Sequence, residues 1–430
     1  MDELRVIQKK GQRVIIFTQC FGLLPYLCYY NGFMLAYMSK LGLAGDQVLL
    51  LLGIPTTIAA ICSIPLAYLG DYLGIKQMGV IGIVGSILSF FLFWLCSFLP
   101  QSITFWGLFF TLCLHGLSMA STGSGWFALL RPLIAKEERG WFFAKLRVSW
   151  QVVGVIVGFA ITALLKRGNS INTYQAVVLG LFFALIIHLL LYKKIPDITE
   201  KQTKKEPILK VLSWLISLPE YLAFGVYLLF IALCTGSFPW LIGLLEKEHL
   251  GFSDSNLISM GICMSMGSIA GFYFGGRLVD RFGCKPVLIL AHLSYAIILT
   301  LVILRAFLPF DSIYNFGLIN AAWGLVAAAA GIALTSETMV LAPIKNQALA
   351  ISLLGTFSQI GIALSALFSA KLVSIGVFAD QWSLFGCDLY NYDALFFLIT
   401  LATILFLVTL GLVPSVLPKA SHLPGQPGSH

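Results

Sequence analysis

Twelve stretches of this sequence stay apolar for about twenty residues or more, and no other feature limits its fold so strongly. They lie near 14–38, 47–70, 78–98, 104–129, 142–165, 173–192, 219–244, 254–279, 286–306, 312–336, 348–372 and 393–414. Each is close to the roughly 20 residues a helix needs to cross a bilayer's hydrocarbon. Inside lipid every backbone N–H and C=O must be satisfied by the chain itself, which for runs of this length means helices. Composition agrees: 59% of residues are hydrophobic and 11% charged, against about 25% charged in soluble proteins. The sequence therefore predicts an all-α membrane protein with twelve transmembrane helices. The net charge of +8 is no nucleic-acid footprint, because the basic residues sit in loops between apolar runs.

One loop occurs twice. Gly276-Arg277-Leu278-Val279-Asp280-Arg281-Phe282-Gly283-Cys284-Lys285-Pro286 has a twin in Ala67-Tyr68-Leu69-Gly70-Asp71-Tyr72-Leu73-Gly74-Ile75-Lys76-Gln77. Asp71, Gly74 and Lys76 each fall 209 positions before Asp280, Gly283 and Lys285. Physically, Gly276 and Gly283 are expected to let helices approach closely, and Asp280 to accept from a neighbouring helix N-terminus. Arg281 and Lys285 could pair with acids at the same membrane face. The pattern G-x-x-x-D-R-x-G-x-K, twice and half a chain apart, resembles the loop signature of the major facilitator superfamily. The first copy departs from it, with Ala67 for the first glycine and Tyr72 for the arginine. The resemblance implies two pseudo-symmetric six-helix halves that rock about a midplane site.

The chain divides accordingly into an N-terminal six-helix bundle (1–192), a central loop (193–218), a C-terminal six-helix bundle (219–418) and a polar tail (419–430) expected to be disordered. In the central loop, residues 207–215 can lie amphipathically on the membrane surface. With twelve spans both termini share one side, and that side carries 21 of the 27 Lys and Arg residues, so the positive-inside rule makes it cytoplasmic. Residues 1–13 are charged and run into a full-length apolar stretch without a cleavage pattern, so the first helix is expected to be retained. The expected location is the cell membrane, multi-pass, with the bilayer and a small-molecule substrate as partners, no nucleic acid, no cofactor, and a monomeric state. Nine cysteines show neither metal nor redox spacing.

The resemblance implies that the first, fourth, seventh and tenth helices line a central cavity, helped by the fifth, eighth and eleventh. Polar and aromatic residues near mid-membrane on those helices are the candidate substrate contacts. They are Gln19, Tyr26 and Tyr30 on one face of the first, His115 on the fourth, and Trp150 and Gln151 on the fifth. Tyr227 on the seventh, Asn320 and Trp323 on the tenth and Gln359 on the eleventh complete the set. Ring faces with neutral donors and acceptors suit a small polar organic solute such as a sugar or nucleoside. Each residue could equally pack or bond between helices, and His115 could be a packed neutral histidine.

No Asp or Glu is read at mid-depth in these helices, so a coupling proton or sodium ion is not visible, and uniport or coupling through His115 stays open. Charged residues gather instead at the cytoplasmic ends. Asp71, Lys76, Arg131, Arg147, Asp280, Arg281, Lys285 and Glu337 are candidate gating residues, with Arg131 and Glu337 expected to pair across the halves. Arg147 could alternatively bind an organic anion; a lipid, amphiphile or drug transporter on the same fold is a further alternative. Pro25, Pro55, Pro65 and Pro239 fall inside spans and predict kinks. The chain has no H-E-x-x-H, no G-x-S-x-G and no mid-membrane aspartate pair, so an intramembrane enzyme is not expected.

Overall fold

The computed structural model describes residues 2–134, 139–197, 207–343, 347–384 and 386–412. The first span is three helices in series: α1 (Asp2–Gly22), α2 (Leu24–Tyr30) and α3 (Phe33–Lys40). Five further spans follow as α4 (Gly45–Leu73), α5 (Ile75–Leu95), α6 (Gln101–Ser124) with the short α7 (Trp126–Leu130), α8 (Arg139–Arg167) and α9 (Ile171–Tyr192). The connector α10 (Ile208–Ser217) leads to the seventh span, made of α11 (Pro219–Thr235), α12 (Phe238–Leu244) and a π-helical turn, Leu245–His249. The rest are α13 (Asp254–Phe282), α14 (Cys284–Ile303), α15 (Ser312–Leu341), α16 (Gln347–Ser374) and α17 (Asn391–Leu412). A small antiparallel hairpin, β1 (Gln381–Leu384) and β2 (Cys387–Tyr390), precedes α17.

Among the described residues ten helices are long and apolar enough to cross a membrane. The two other expected spans are the interrupted α1–α3 and the shorter apolar stretch of α17. Large apolar side chains such as Phe110, Leu190, Leu318 and Leu405 stay exposed on the bundle's outside, where lipid rather than water is their natural solvent.

Of the four prolines expected to bend spans, two coincide with breaks. Pro25 and Pro239 occupy the first turns of α2 and α12, where the missing N–H costs no helical bond. Pro55 and Pro65 lie within an unbroken α4. A further break, not anticipated, falls at Asn31–Gly32, where Gly32 takes φ +84° and the Asn31 side chain accepts from the Phe33 N–H at 3.1 Å.

The repeated loop holds its shape for a different reason from the one expected. Gly74 and Gly283 both turn one helix into the next at positive φ, +100° and +81°, a region other residues enter at a cost. Gly276 and Gly283 do not serve close packing: no atom of another element lies within 4 Å of where a Cβ on either would stand. Close approach belongs instead to the glycines before them. Gly267, Gly271 and Gly275, four residues apart on α13, lie against the backbone of Ala321, Leu325 and Ala329 on α15. That is the small-residue seam by which helices associate in lipid.

The first six spans meet the last six along two seams, α4 against α16 and α8 against α13. At α10, Val211 and Leu215 are buried while Leu209 (76% exposed), Trp214 and Ile216 are bare, as suits a helix lying at a membrane interface.

Candidate functional site

The breaks in the first and seventh spans bring an aromatic row together. Mid-way along the first span, the Tyr26 ring sits 4.8 Å from that of Tyr30. Tyr30 in turn stacks on Trp240 of α12 at 5.5 Å and 20°. Trp240 is buried and its Nε1–H donates to the Tyr29 carbonyl at 3.1 Å, tying the two broken spans to one another. Tyr26 remains 41% exposed at this depth. The row therefore ends in a partly exposed tyrosine, with half-buried Gln19 two turns before it on the same helical face.

A second group lies nearer the termini. Arg147 Nη2 donates to the Thr335 hydroxyl of α15 at 3.1 Å, and the guanidinium stands 5.4 Å from the Phe272 ring of α13. Trp150, one turn further along α8, lies 6.3 Å from the same ring. Gln151 is buried on the Arg147 face, and its Oε1 meets no hydrogen-bond donor among the described residues. On the opposite seam Ser63 of α4 donates to Gln359 Oε1 of α16 at 3.2 Å. Gln19, Tyr26, Tyr30, Trp150, Gln151 and Gln359 are thus found between the two sets of spans or beside groups that are.

Four expected substrate contacts are packed elsewhere. His115 stacks on Tyr29 at 5.8 Å and meets the Phe90 ring edge-on at 5.4 Å, buried within the first six spans. Tyr227 is buried against Phe224 and His292. Trp323 is sandwiched by Phe238, with ring centroids 3.5 Å apart, and Tyr295 at 4.6 Å. Asn320 is 2% exposed and donates through Nδ2 to Glu246 Oε1 at 3.0 Å and to the Phe316 carbonyl at 2.9 Å. Helical-face spacing identifies residues that share a face, but these faces look into their own bundle.

Glu246 is a buried acid that the expected span 219–244 left out, at the end of the seventh span rather than at mid-depth. The apolar run ends at Leu244, but the helix continues as a π turn and carries Glu246 into the interior, 2% exposed.

The gating set is also rearranged. Lys76 Nζ donates to the carbonyls of Lys193 and Ile195 at 2.9 and 2.7 Å, closing the C-terminal end of α9 within its own set. Glu337 stands beside the Cys284 thiol at the start of α14. Asp280 and Arg281 are exposed, the Arg281 guanidinium lying over its neighbour Phe282 at 5.2 Å, and Lys285 is half-buried. The side chains of Asp71 and Arg131 lie outside the described residues, and so does the expected pairing of Arg131 with Glu337.

The ion pairs seen in this bundle stand on the side away from the termini. Arg305 grips Asp393 through both nitrogens, at 2.5 and 2.9 Å. Asp254 at the head of α13 pairs with Lys247 and accepts from Tyr174 Oη at 2.5 Å and Asn169 Nδ2 at 3.0 Å. Because Asn169 and Tyr174 belong to the first six spans, this cluster ties the sets together at that face. Nearby, Gly261 lies so close to Asn31 that a Cβ would collide with its backbone. On that face the two sets are closed against each other.

Comparison with known proteins agrees with this architecture. The sequence profile described as Major Facilitator Superfamily matches residues 20–366. No curated protein matches the chain. Among solved structures, a crystal structure of a mutant of the nucleoside transporter NupG superimposes with a TM-score of 0.67 at 13% identity, covering 94% of this chain and 99% of that one. At that identity the likeness speaks for the fold. The profile match spans most of the sequence, and the chain belongs to the major facilitator superfamily, a secondary transporter of small organic solutes.

Proposed function

We propose that this protein carries nucleosides across the cell membrane by alternating access. The observation that carries the reading is the aromatic row Tyr26–Tyr30–Trp240, which ends mid-span in a partly exposed tyrosine. A planar base can stack there, and neutral amides at Gln19, Gln151 and Gln359 suit the hydroxyls and ring nitrogens of a nucleoside better than they suit a charged solute. The nucleoside transporter NupG shares the fold, which supports the same choice over a sugar. The test is uptake of labelled uridine into proteoliposomes. Tyr26→Ala is expected to raise the KM about ten-fold, equivalent to ~1.4 kcal/mol of lost stacking. A protein that takes up a hexose and ignores uridine and adenosine would overturn the proposal.

A second reading rests on Arg147. Its described partners are a hydroxyl and a ring rather than a carboxylate, which leaves its charge available to an organic anion. Uptake of anions only, abolished in Arg147→Gln, would favour that reading over the first.

The excess of Lys and Arg at the terminal side supports cytoplasmic termini. The closed face is then the outer one, the arrangement expected of an inward-facing state. Within this scheme residues 1–192 and 219–418 are the rocking bundles, 193–218 joins them, and one chain suffices. Arg147, reaching Thr335 across the α8–α13 seam, is the gating contact at the inner side. A tag at either terminus that is readily cut by protease outside intact cells would contradict this orientation.

A further inference from the structure

Glu246 is a carboxyl buried among helices, 2% exposed, with a neutral partner. At 1.5 Å per residue, its partner Asn320 lies about 12 Å along α15 from Ser312, and Glu246 itself stands on the last turn of the seventh span, just inside the cluster around Asp254. The Asn320 amide cannot swing away to serve other groups, because its second N–H is held by the Phe316 carbonyl. It therefore offers the carboxyl one neutral donor. The titratable group set beside Glu246 on α13 is the thiol of Cys263. The charged neighbours on its own turn are committed elsewhere: Lys247 to Asp254, Glu248 to the Tyr392 hydroxyl of α17 at 2.6 Å. His249 stacks on Tyr390 at 4.1 Å. Among the described residues this carboxylate meets one neutral donor and no cation, so keeping it charged carries a large desolvation cost. Binding a proton removes that cost.

The position of this carboxyl ties it to the solute site. Residues 238–249 form one piece, bounded by the break at Gly236–Ser237 and the π turn that holds Glu246. Two turns before Glu246 the same piece carries Trp240, which stacks on Tyr30 and bonds to the Tyr29 carbonyl. π turns inside helices recur at functional sites because they re-aim side chains at the cost of a regular hydrogen-bond ladder. Movement that separates Trp240 from the first span must strain or shift the turn below it. It thereby changes how well Glu246 is shielded.

We propose that Glu246 is the proton-binding site of this transporter: one proton, taken up by its carboxylate when the site faces outward and released inward, moves with each solute. The proposal rests on the nucleoside reading for the identity of the solute, not for the proton.

Two measurements on the reconstituted full-length chain separate these claims. The first uses no solute. Infrared difference spectra between acidic and alkaline buffer should show a buried carboxylic-acid band that is missing in Glu246→Gln; no such band, or one unchanged by the substitution, overturns the proposal. Should Glu246→Gln fail to fold, Asn320→Ala takes its place, and the same band must then titrate at a different pH. The second uses uridine. The wild type should accumulate it under an outside-acid gradient, while Glu246→Gln exchanges labelled uridine but no longer accumulates it. Gradient-driven accumulation that survives in Glu246→Gln, or that follows sodium instead of protons, sinks the proposal with the nucleoside reading intact. No uridine exchange by the wild type removes the nucleoside reading, and the infrared result then decides the proton site alone.

Discussion

At the scale of single residues, the side chains that hold this bundle are few and unevenly placed. Asp393 is the clearest case. Its carboxylate is buried, gripped by both Arg305 nitrogens, and accepts the Tyr390 backbone N–H at 2.8 Å. Attraction between the two charges offsets their desolvation only while both are present. Removing one partner leaves an uncompensated charge, which typically costs about 3–5 kcal/mol. Asp393→Asn is therefore expected to lower the thermal unfolding midpoint of the purified protein sharply. Lys76→Met should lower it less, because what it loses is a cation over two carbonyls at a half-exposed helix end. Equal shifts for the two would contradict this account of where the stabilising charge lies.

At the scale of elements, the repeated loop separates two roles of glycine that the sequence alone merges. Gly283 needs its positive φ, so Gly283→Ala is expected to cost on the order of 1 kcal/mol of backbone strain. Gly276 takes a place where a methyl group meets no atom of another element, so Gly276→Ala should be neutral. Gly271→Val, which would drive a branched side chain into the Leu325 carbonyl, should break the α13–α15 seam and lower yield as well as stability. Thermal unfolding of the three variants side by side tests the ranking. The elements were legible because hydropathy and the 209-residue repeat are written in residue types. The site was legible only in part. Tyr26, Tyr30, Trp150 and Gln359 share faces that do lie between the sets of spans, whereas His115, Tyr227, Asn320 and Trp323 share faces that look into their own bundle. Spacing alone cannot tell the two apart. Glu246 escaped because Glu246-Lys247-Glu248-His249 looks like the polar start of a loop. Only the π turn, which sends Lys247 to Asp254 and Glu248 to Tyr392, leaves Glu246 buried.

At the scale of the whole molecule, the described contacts between the two sets of spans differ from one face to the other. On the face away from the termini, Asp254 collects donors from Asn169 and Tyr174 across the divide. At the other end the described crossing contact from Arg147 is one hydroxyl and one ring. Hydrogen bonds to a carboxylate are each worth about 1.5–3 kcal/mol when shielded and less where water competes. Taking away both, in Asn169→Ala with Tyr174→Phe, is expected to weaken the closed face by about 2 kcal/mol, roughly thirty-fold in the ratio of closed to open molecules. Lys247 still faces Asp254 in that variant, so the head of α13 keeps its charge balance and the change is confined to the crossing contacts. Spin labels at the exposed positions Ser170 and Ser312, one in each set, read the outcome directly. A longer-distance population growing in the double variant, alongside uridine exchange that persists, means that these donors hold the outer face shut. A distance distribution unchanged from the wild type would mean that closure resides in the packing of Asn31 against Gly261 and of Tyr30 against Trp240, with the Asp254 cluster only riding on it.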